Sequence, residues 1–453
     1  MKLAVIGSYN EACGVASYVS SIKNCFGAPF DVEVMDLKTT ALVGHETLSD
    51  SDAAEAHIDS ICKKLKHFDC VNLQFEGGLF GRSIDVIGRR LTKLFNNSQN
   101  LILTIHSLHV TDQSRDMLHR LFQNLKNRSP DRPYWFITHL QKEADILRQT
   151  FGIDNVIDFP VTYFTEQQVK DLHSTADAKA WKRQIGLKED DIVVLHAGFF
   201  AAHKDHMTAL KALQILPQNY KLVFAGSEHP VGIQKFSISP VVSKITDYID
   251  QYDADVVRAR NHDPRSSGTT LGDRVRFVGA PSDADLHKVM CCADIVAVTH
   301  LESGQSSSGI ASMAFQLERP VILSYNIFFL EYEKYYKDGF SYFTMGNHYE
   351  LRDKIMNFDM AMVSRLQEYG KTYSMDGLAK LYQKIYDDMR AGRVINRGRP
   401  VVVVALETSR SQPIEALSPQ YVNTNVTGIR LLIRKIRSFI RRVRIGFKAG
   451  FGS

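Results

Sequence analysis

Short apolar runs alternate with amphipathic stretches through most of the chain. Residues 3–6 form a continuous apolar run ended by Gly7, the pattern of a strand buried on both faces of a parallel sheet. Residues 15–22 then place apolar side chains at helical spacing. The alternation continues, with strands predicted at 32–34, 70–75, 101–105 and 135–137 and helices at 58–65, 84–95 and 116–125. This order predicts a doubly wound parallel sheet. A second series follows, with strands at 192–196, 221–225, 275–278, 295–298 and 320–323 and helices at 207–215, 285–290 and 309–317. The expected fold class is therefore α/β, with two Rossmann-like domains facing a cleft and ligands at the carboxyl ends of the strands. The boundary falls between 162 and 189. Residues 238–272 are polar and read as an insertion over the second domain, 378–389 as a late helix, and 390–427, rich in Arg, Pro and Ser, as a linker. No repeat of about 20–50 residues is visible.

Composition adds little until charge is placed along the chain. The 453 residues carry 55 Lys+Arg and 50 Asp+Glu, a net charge of +5. Eight of the basic residues, and no acidic one, lie in 427–453. The remainder holds 47 against 50, a net charge of −3, which argues against a nucleic-acid-coating body. Six cysteines without a C-x-x-C pair read as reduced thiols packed as small hydrophobes. The apolar run at the N-terminus is too short for a signal peptide. No run of about 18 apolar residues suggests a spanning helix. The body is expected in the cytoplasm.

Several loops carry candidate chemistry. Gly14 opens the first helix after a loop that lacks G-x-G-x-x-G, so the dinucleotide fingerprint fails. Its helix N-terminus still favours an anion. Gln305, Ser306, Ser307, Ser308 and Gly309 lie between a strand and a helix. Their hydroxyls and N–H groups suit a diphosphate, although serine at that place also serves as an N-cap. Lys204 follows the strand 192–196, where an ammonium can neutralise a departing phosphate. His203 and His206 flank it, but nothing nearby completes a metal set. His106 ends the strand 101–105, with His109 three residues on. A histidine there can act as acid, base or hydrogen-bond donor. Glu76 sits at the same edge.

Together these segments resemble the retaining, nucleotide-sugar-dependent glycosyltransferases of family four, with the GT-B architecture. The carrying segments are KLAVIGSYNEACGVASYV, VNLQFEGGLFG, LTIHSLH, GFFAAHKDHMTAL, KLVFAGSEHP, DRVRFVGAPSDADLHKVMCCADIVAV and ESGQSSSGIASMAFQLERPVI. They span about residues 1–390. The resemblance implies roles for positions already singled out. Gly14 would touch the donor diphosphate, His106 would lie near the transferred sugar, and Lys204 would stabilise the leaving nucleoside diphosphate. Ser307, Ser308 and Gly309 would form the donor-phosphate loop, and 277–280, with Gly279, would lie near the base. Two features depart from the family pattern. The paired glutamates fall on Gln305 and Met313, with Glu302 as the nearby carboxylate to take the first one's place. The usual arginine falls on Phe199. The resemblance implies the domains 1–165 (acceptor) and 180–372 (nucleotide sugar). A late helix, 373–390, would pack back on the first domain, with a linker at 391–426. No metal is expected, and the nucleotide sugar is donor substrate rather than cofactor.

The last segment, 427–453, explains the charge. Ile429, Leu432, Ile433, Ile436, Ile440, Val443 and Phe447 recur at spacings of three and four, with Arg430, Arg434, Arg437, Arg441, Arg444 and Lys448 on the other side. A helix over 429–448 would be ~30 Å long. Basic amphipathic helices of this kind lie in anionic membrane interfaces. The expected protein is a glycosyltransferase peripheral to the inner membrane face, extending a surface glycan or lipid-linked saccharide. A non-catalytic nucleotide-sugar-binding subunit and a nucleotide-sugar epimerase of the same fold are the alternatives.

Overall fold

The computed structural model describes residues 1–11, 13–43, 52–108, 110–228, 239–263, 269–301 and 307–393. All of them lie in one compact unit, Met1–Arg399. The predicted basic helix lies outside the described residues, as do Glu302, Gln305, Ser306 and His109.

Two six-stranded parallel sheets organise the unit. The first contains β1 (Lys2–Gly7), β2 (Asp31–Asp36), β3 (Cys70–Phe75), β4 (Leu101–Ile105), β5 (Tyr134–Thr138) and β6 (Val156–Asp158). Its order is β2-β1-β3-β4-β5-β6. The second contains β7 (Ile192–Ala197), β8 (Tyr220–Ala225), β9 (Val275–Phe277), β10 (Ile295–Val298), β11 (Val321–Tyr325) and β12 (Ser341–Thr344). Its order is β12-β11-β10-β7-β8-β9. Strand order reverses between β1 and β3 in the first sheet and between β7 and β10 in the second. Ligands of such sheets bind outside the carboxyl ends of the strands at these switch points.

The apolar runs form central strands because both faces are covered. All residues of β3, β4 and β5 are buried. On β7, Val193 and Leu195 face one hydrophobic cluster and Val194 the other, as the two-residue period of a strand requires. The polar stretch read as an insertion contains a 23-residue helix, Pro240–His262, capped by Ser239. It buries only Ile245, Ile249 and Val256, a stripe too sparse to stand out in sequence. The short strands β6 and β12 were also not expected. Each lies at an edge, with a brief apolar signal.

Three links join the chain segments between the sheets. Gln316 accepts a hydrogen bond from the Tyr163 main-chain N–H at 2.7 Å and donates to the Tyr373 carbonyl at 2.7 Å and to Thr162. Asp158 accepts from the Tyr335 hydroxyl at 2.6 Å and pairs with Lys334. The helix Met375–Arg390 sets Tyr382 edge-on to Phe26 at 5.3 Å and against Thr104 Oγ1 at 3.0 Å.

Candidate functional site

The two switch points carry most of the described candidate residues. Lys204 lies in a short turn after β7, ahead of the helix His206–Ile215. Asp205, at φ 46°, turns the chain into that helix. The Lys204 Nζ is 3.0 Å from Nε2 of His300, which follows β10 on the other side of the switch point. His300 is 1 % exposed. His196 packs on His206 with ring centres 4.4 Å apart, and its Nε2 meets Thr299 Oγ1 at 2.9 Å. The Thr299 hydroxyl donates to the Lys204 carbonyl at 2.7 Å, which secures the turn.

Electrostatics single out the lysine. Burial lowers the Lys204 ammonium to about 8. Burial likewise lowers His196 to about 4, His206 to about 2 and His300 well below the usual histidine range. Near pH 7 the surrounding imidazoles are therefore neutral, and Lys204 carries the positive charge among these four groups. A desolvated cation interacts with an arriving anion far more strongly than a hydrated one.

Glycine shapes the same edge. A Cβ on Gly226, just after β8, would lie 1.9 Å from the Gly198 carbonyl oxygen. Gly226 N–H donates to the Gly279 carbonyl at 2.6 Å. Gly279 has φ +73° and open space where a side chain would project. Phe277 is 45 % exposed and groups with Phe224 and Phe200 at 5.2 and 6.2 Å. This leaves an aromatic face beside the glycine turn.

The start of the helix Gly309–Gln316 is more committed than its sequence implies. The Ser308 hydroxyl accepts from the Ala311 N–H as an N-cap. Its main-chain N–H donates to the Tyr332 hydroxyl at 2.9 Å. Gly309 leaves room for the Tyr163 hydroxyl, which a Cβ would meet at 2.6 Å. Ser307 is partly exposed. Met313 is 5 % exposed, within the larger hydrophobic cluster.

In the first sheet, Gly14 begins the helix Gly14–Cys25 without a side-chain cap from Cys13. Nothing lies within 4 Å of where its Cβ would be. His106 follows β4, and its Nε2 is 2.7 Å from Gln74 Oε1. Its ring contacts Tyr18 at 5.2 Å and His139 at 4.9 Å. Burial, with His139 alongside, holds His106 well below the usual histidine range, so the ring is neutral. Glu76 accepts a hydrogen bond from Ser107.

Sequence reasoning missed His300, His196, Gln74 and His139. His300 had a usable signal. It lies two residues after the apolar run of β10, as His106 lies one residue after β4. Gln74 and Asn72 were marked by being polar within an apolar strand. No hydrogen bond or ring contact joins the His106 group to the Lys204 group among the described residues; each belongs to its own sheet edge. No cluster of His, Cys, Asp and Glu suited to a metal occurs among the described residues. No helix among them is long and apolar enough to cross a membrane.

Comparison with known proteins adds a family match and a fold. Residues 177–358 match the family model of glycosyl transferases group 1. No curated protein matches the chain. Anabaena HepE, solved in complex with UDP, superposes with a TM-score of 0.59 at 14% identity, covering 86% of this chain and 100% of that one. Sucrose-phosphate synthase from Thermosynechococcus elongatus gives 0.54 at 16% identity, covering 86% and 99%. A glycosyltransferase from Rickettsia africae gives 0.57 at 11%, covering 86% and 98%. The architecture is GT-B, two parallel α/β sheets with helices.

Proposed function

We propose that the chain is a glycosyltransferase that moves a sugar from a nucleotide-sugar donor to a saccharide or lipid-linked acceptor with retention. The observation that carries this reading is the desolvated ammonium of Lys204 at the switch point of the sheet, inside the segment matched by glycosyl transferases group 1. HepE has also been solved with UDP-glucose, which makes a uridine diphosphate sugar the first donor to try.

In this reading the donor lies across both switch points. Its base rests near Phe277 and Gly279. Its diphosphate meets Lys204, the N-terminus of the helix at Gly309 and, from the first domain, the open helix start at Gly14. Breaking the glycosidic phosphate bond places negative charge on the leaving diphosphate. A cation and amide dipoles already in place stabilise that charge without reorganising. Lysine and helix N-termini thus take the charge that a divalent cation carries elsewhere. Of the three serines, Ser307 is assigned the direct phosphate contact, because Ser308 already spends its hydroxyl and N–H within the protein. The purified protein is expected to turn over at least one nucleotide sugar in a panel, by transfer or slow hydrolysis, and to do so in EDTA. Failure to bind any of them by calorimetry would overturn the reading.

A second reading is favoured by Met313, buried among apolar side chains at a position where the resembling family carries a carboxylate. It is a nucleotide-sugar-binding subunit without turnover. Binding with no product across a range of acceptors would select it.

The basic segment 427–453 is assigned to an anionic membrane surface, in keeping with eight cations and no acidic residue. Each cation near such a surface contributes about 1 kcal/mol. Deleting 427–453 is expected to abolish sedimentation with phosphatidylserine vesicles while leaving turnover of soluble substrates within about twofold. Unchanged sedimentation would refute the assignment. Surface-glycan assembly at the inner membrane face is the role that fits an enzyme held this way.

A further inference from the structure

The polar groups beneath His106 have a direction. Asn72 and Gln74 lie two apart on β3 and are fully buried. Gln74 stands opposite Thr104 of β4. The Asn72 Nδ2 is 3.2 Å from the Ile102 carbonyl oxygen and 3.0 Å from Thr104 Oγ1. A main-chain carbonyl only accepts, so this end of the Asn72 amide is its NH2 group. The Asn72 Oδ1 therefore faces Gln74 and accepts from Gln74 Nε2. Gln74 in turn directs Oε1 at His106 Nε2, 2.7 Å away. An amide oxygen cannot donate, so His106 Nε2 carries the hydrogen and Nδ1 keeps the lone pair.

The alternatives each set two like groups together. Turning the Gln74 amide would face its oxygen against Asn72 Oδ1. Turning Asn72 as well would face its oxygen against the Ile102 carbonyl. Moving the hydrogen to Nδ1 of His106 would oppose two lone pairs across 2.7 Å. Buried mismatches of this kind cost the full desolvation of the unpaired group. The Tyr382 hydroxyl closes the far end, against Thr104, Gln74 and Asn72. His139, beside His106, shows the opposite assignment, since its Nδ1 meets the Phe159 carbonyl at 3.1 Å.

We infer that Asn72 and Gln74 are positioning residues that hold His106 in its Nε2–H tautomer, so that Nδ1 meets a substrate hydroxyl as a hydrogen-bond acceptor. The inference rests on the reading of His106 as a substrate-facing residue. The hydroxyl would be one on the transferred sugar or the acceptor, and it must donate to the ring. A substrate group that only accepts would be rejected at this point.

The test uses the full chain labelled with 15N-histidine, and long-range proton–nitrogen spectra in which a His106→Gln variant identifies the His106 signals. In the unaltered protein, His106 is expected as a single Nε2–H form. Gln74→Met removes the acceptor and is expected to yield exchange between both tautomers. In that variant kcat falls about tenfold and the donor KM changes by less than about twofold. Gln74→Glu in its protonated form can donate its O–H to Asn72 Oδ1 and still offer Nε2 a carbonyl oxygen, so below the pKa of that carboxyl it is expected to keep the hydrogen on Nε2 and to recover most of kcat. An Nδ1–H form in the unaltered protein overturns the inference. So does a Gln74→Met protein that keeps both the pure Nε2–H signature and its kcat. The spectra are taken without substrate, so their outcome is independent of whether the protein transfers sugar.

Discussion

Lys204→Ala lowers sugar transfer by about 10²–10³-fold in kcat, with the fold intact, the size expected when one fixed group facing developing charge is removed. The reason is the surroundings of the amine. It is partly buried, bonded to the neutral His300 at 3.0 Å, and lowered by burial to about 8. A phosphate that arrives there replaces the solvation the ammonium has lost, and gains most when its own charge increases. The same value sets a pH dependence. Below about 8 the amine is charged; above it the charge is lost. kcat/KM, which reports the free enzyme, therefore falls as pH rises through about 8. Lys204→Arg retains the charge in that range and is expected to remove this alkaline limb even where its different shape lowers the rate. Initial rates from pH 6 to 10 on the three proteins check both statements. Full activity in Lys204→Ala would remove the lysine from the mechanism.

Gly226→Ala destabilises the protein by about 3 kcal/mol, the upper part of the range for forced overpacking. The new Cβ would lie 1.9 Å from the Gly198 carbonyl oxygen and 2.8 Å from its carbonyl carbon. Both belong to the main chain, so no side chain can rotate away. Separation would pull apart the ends of β7 and β8 and strain the hydrogen bond from Gly226 N–H to Gly279. Gly14→Ala is the contrasting change. Its Cβ would project into open space, so stability should stay within about 0.5 kcal/mol, while donor affinity falls if a phosphate approaches that helix start. Denaturant titrations of the two variants against the parent protein separate the cases. Equal midpoints for Gly226→Ala and the parent would show that the loop carrying Lys204 is free to shift.

Much of the fold was legible because fully buried strands leave uninterrupted apolar runs. β3, β4 and β10 occupy the residues their runs predicted. Elements with little apolar signal were not legible. The helix Pro240–His262 buries three residues in 23. The site divides in the same way. His106 could be placed at a sheet edge because it directly follows a readable strand, and Lys204 because it lies between a readable strand and a readable helix. His300 lies 96 residues from Lys204 along the chain, and nothing local to either residue records that they meet.

The amino-acid sequence by itself determined the order of the central strands, the two-sheet division, the asymmetry of charge and the glycines that close turns. These are properties of neighbours along the chain, set by periodicity and backbone freedom. The tertiary structure decided which polar groups are paired. It placed His300 against Lys204, set the Ser308 N–H on Tyr332, and ran hydrogen bonds from Ile102 through Asn72 and Gln74 to His106. Parallel strands bring distant residues into register only when the sheet closes, and burial shifts a proton affinity only once water has been excluded. The charge on Lys204 and the tautomer of His106 are therefore properties of the folded molecule.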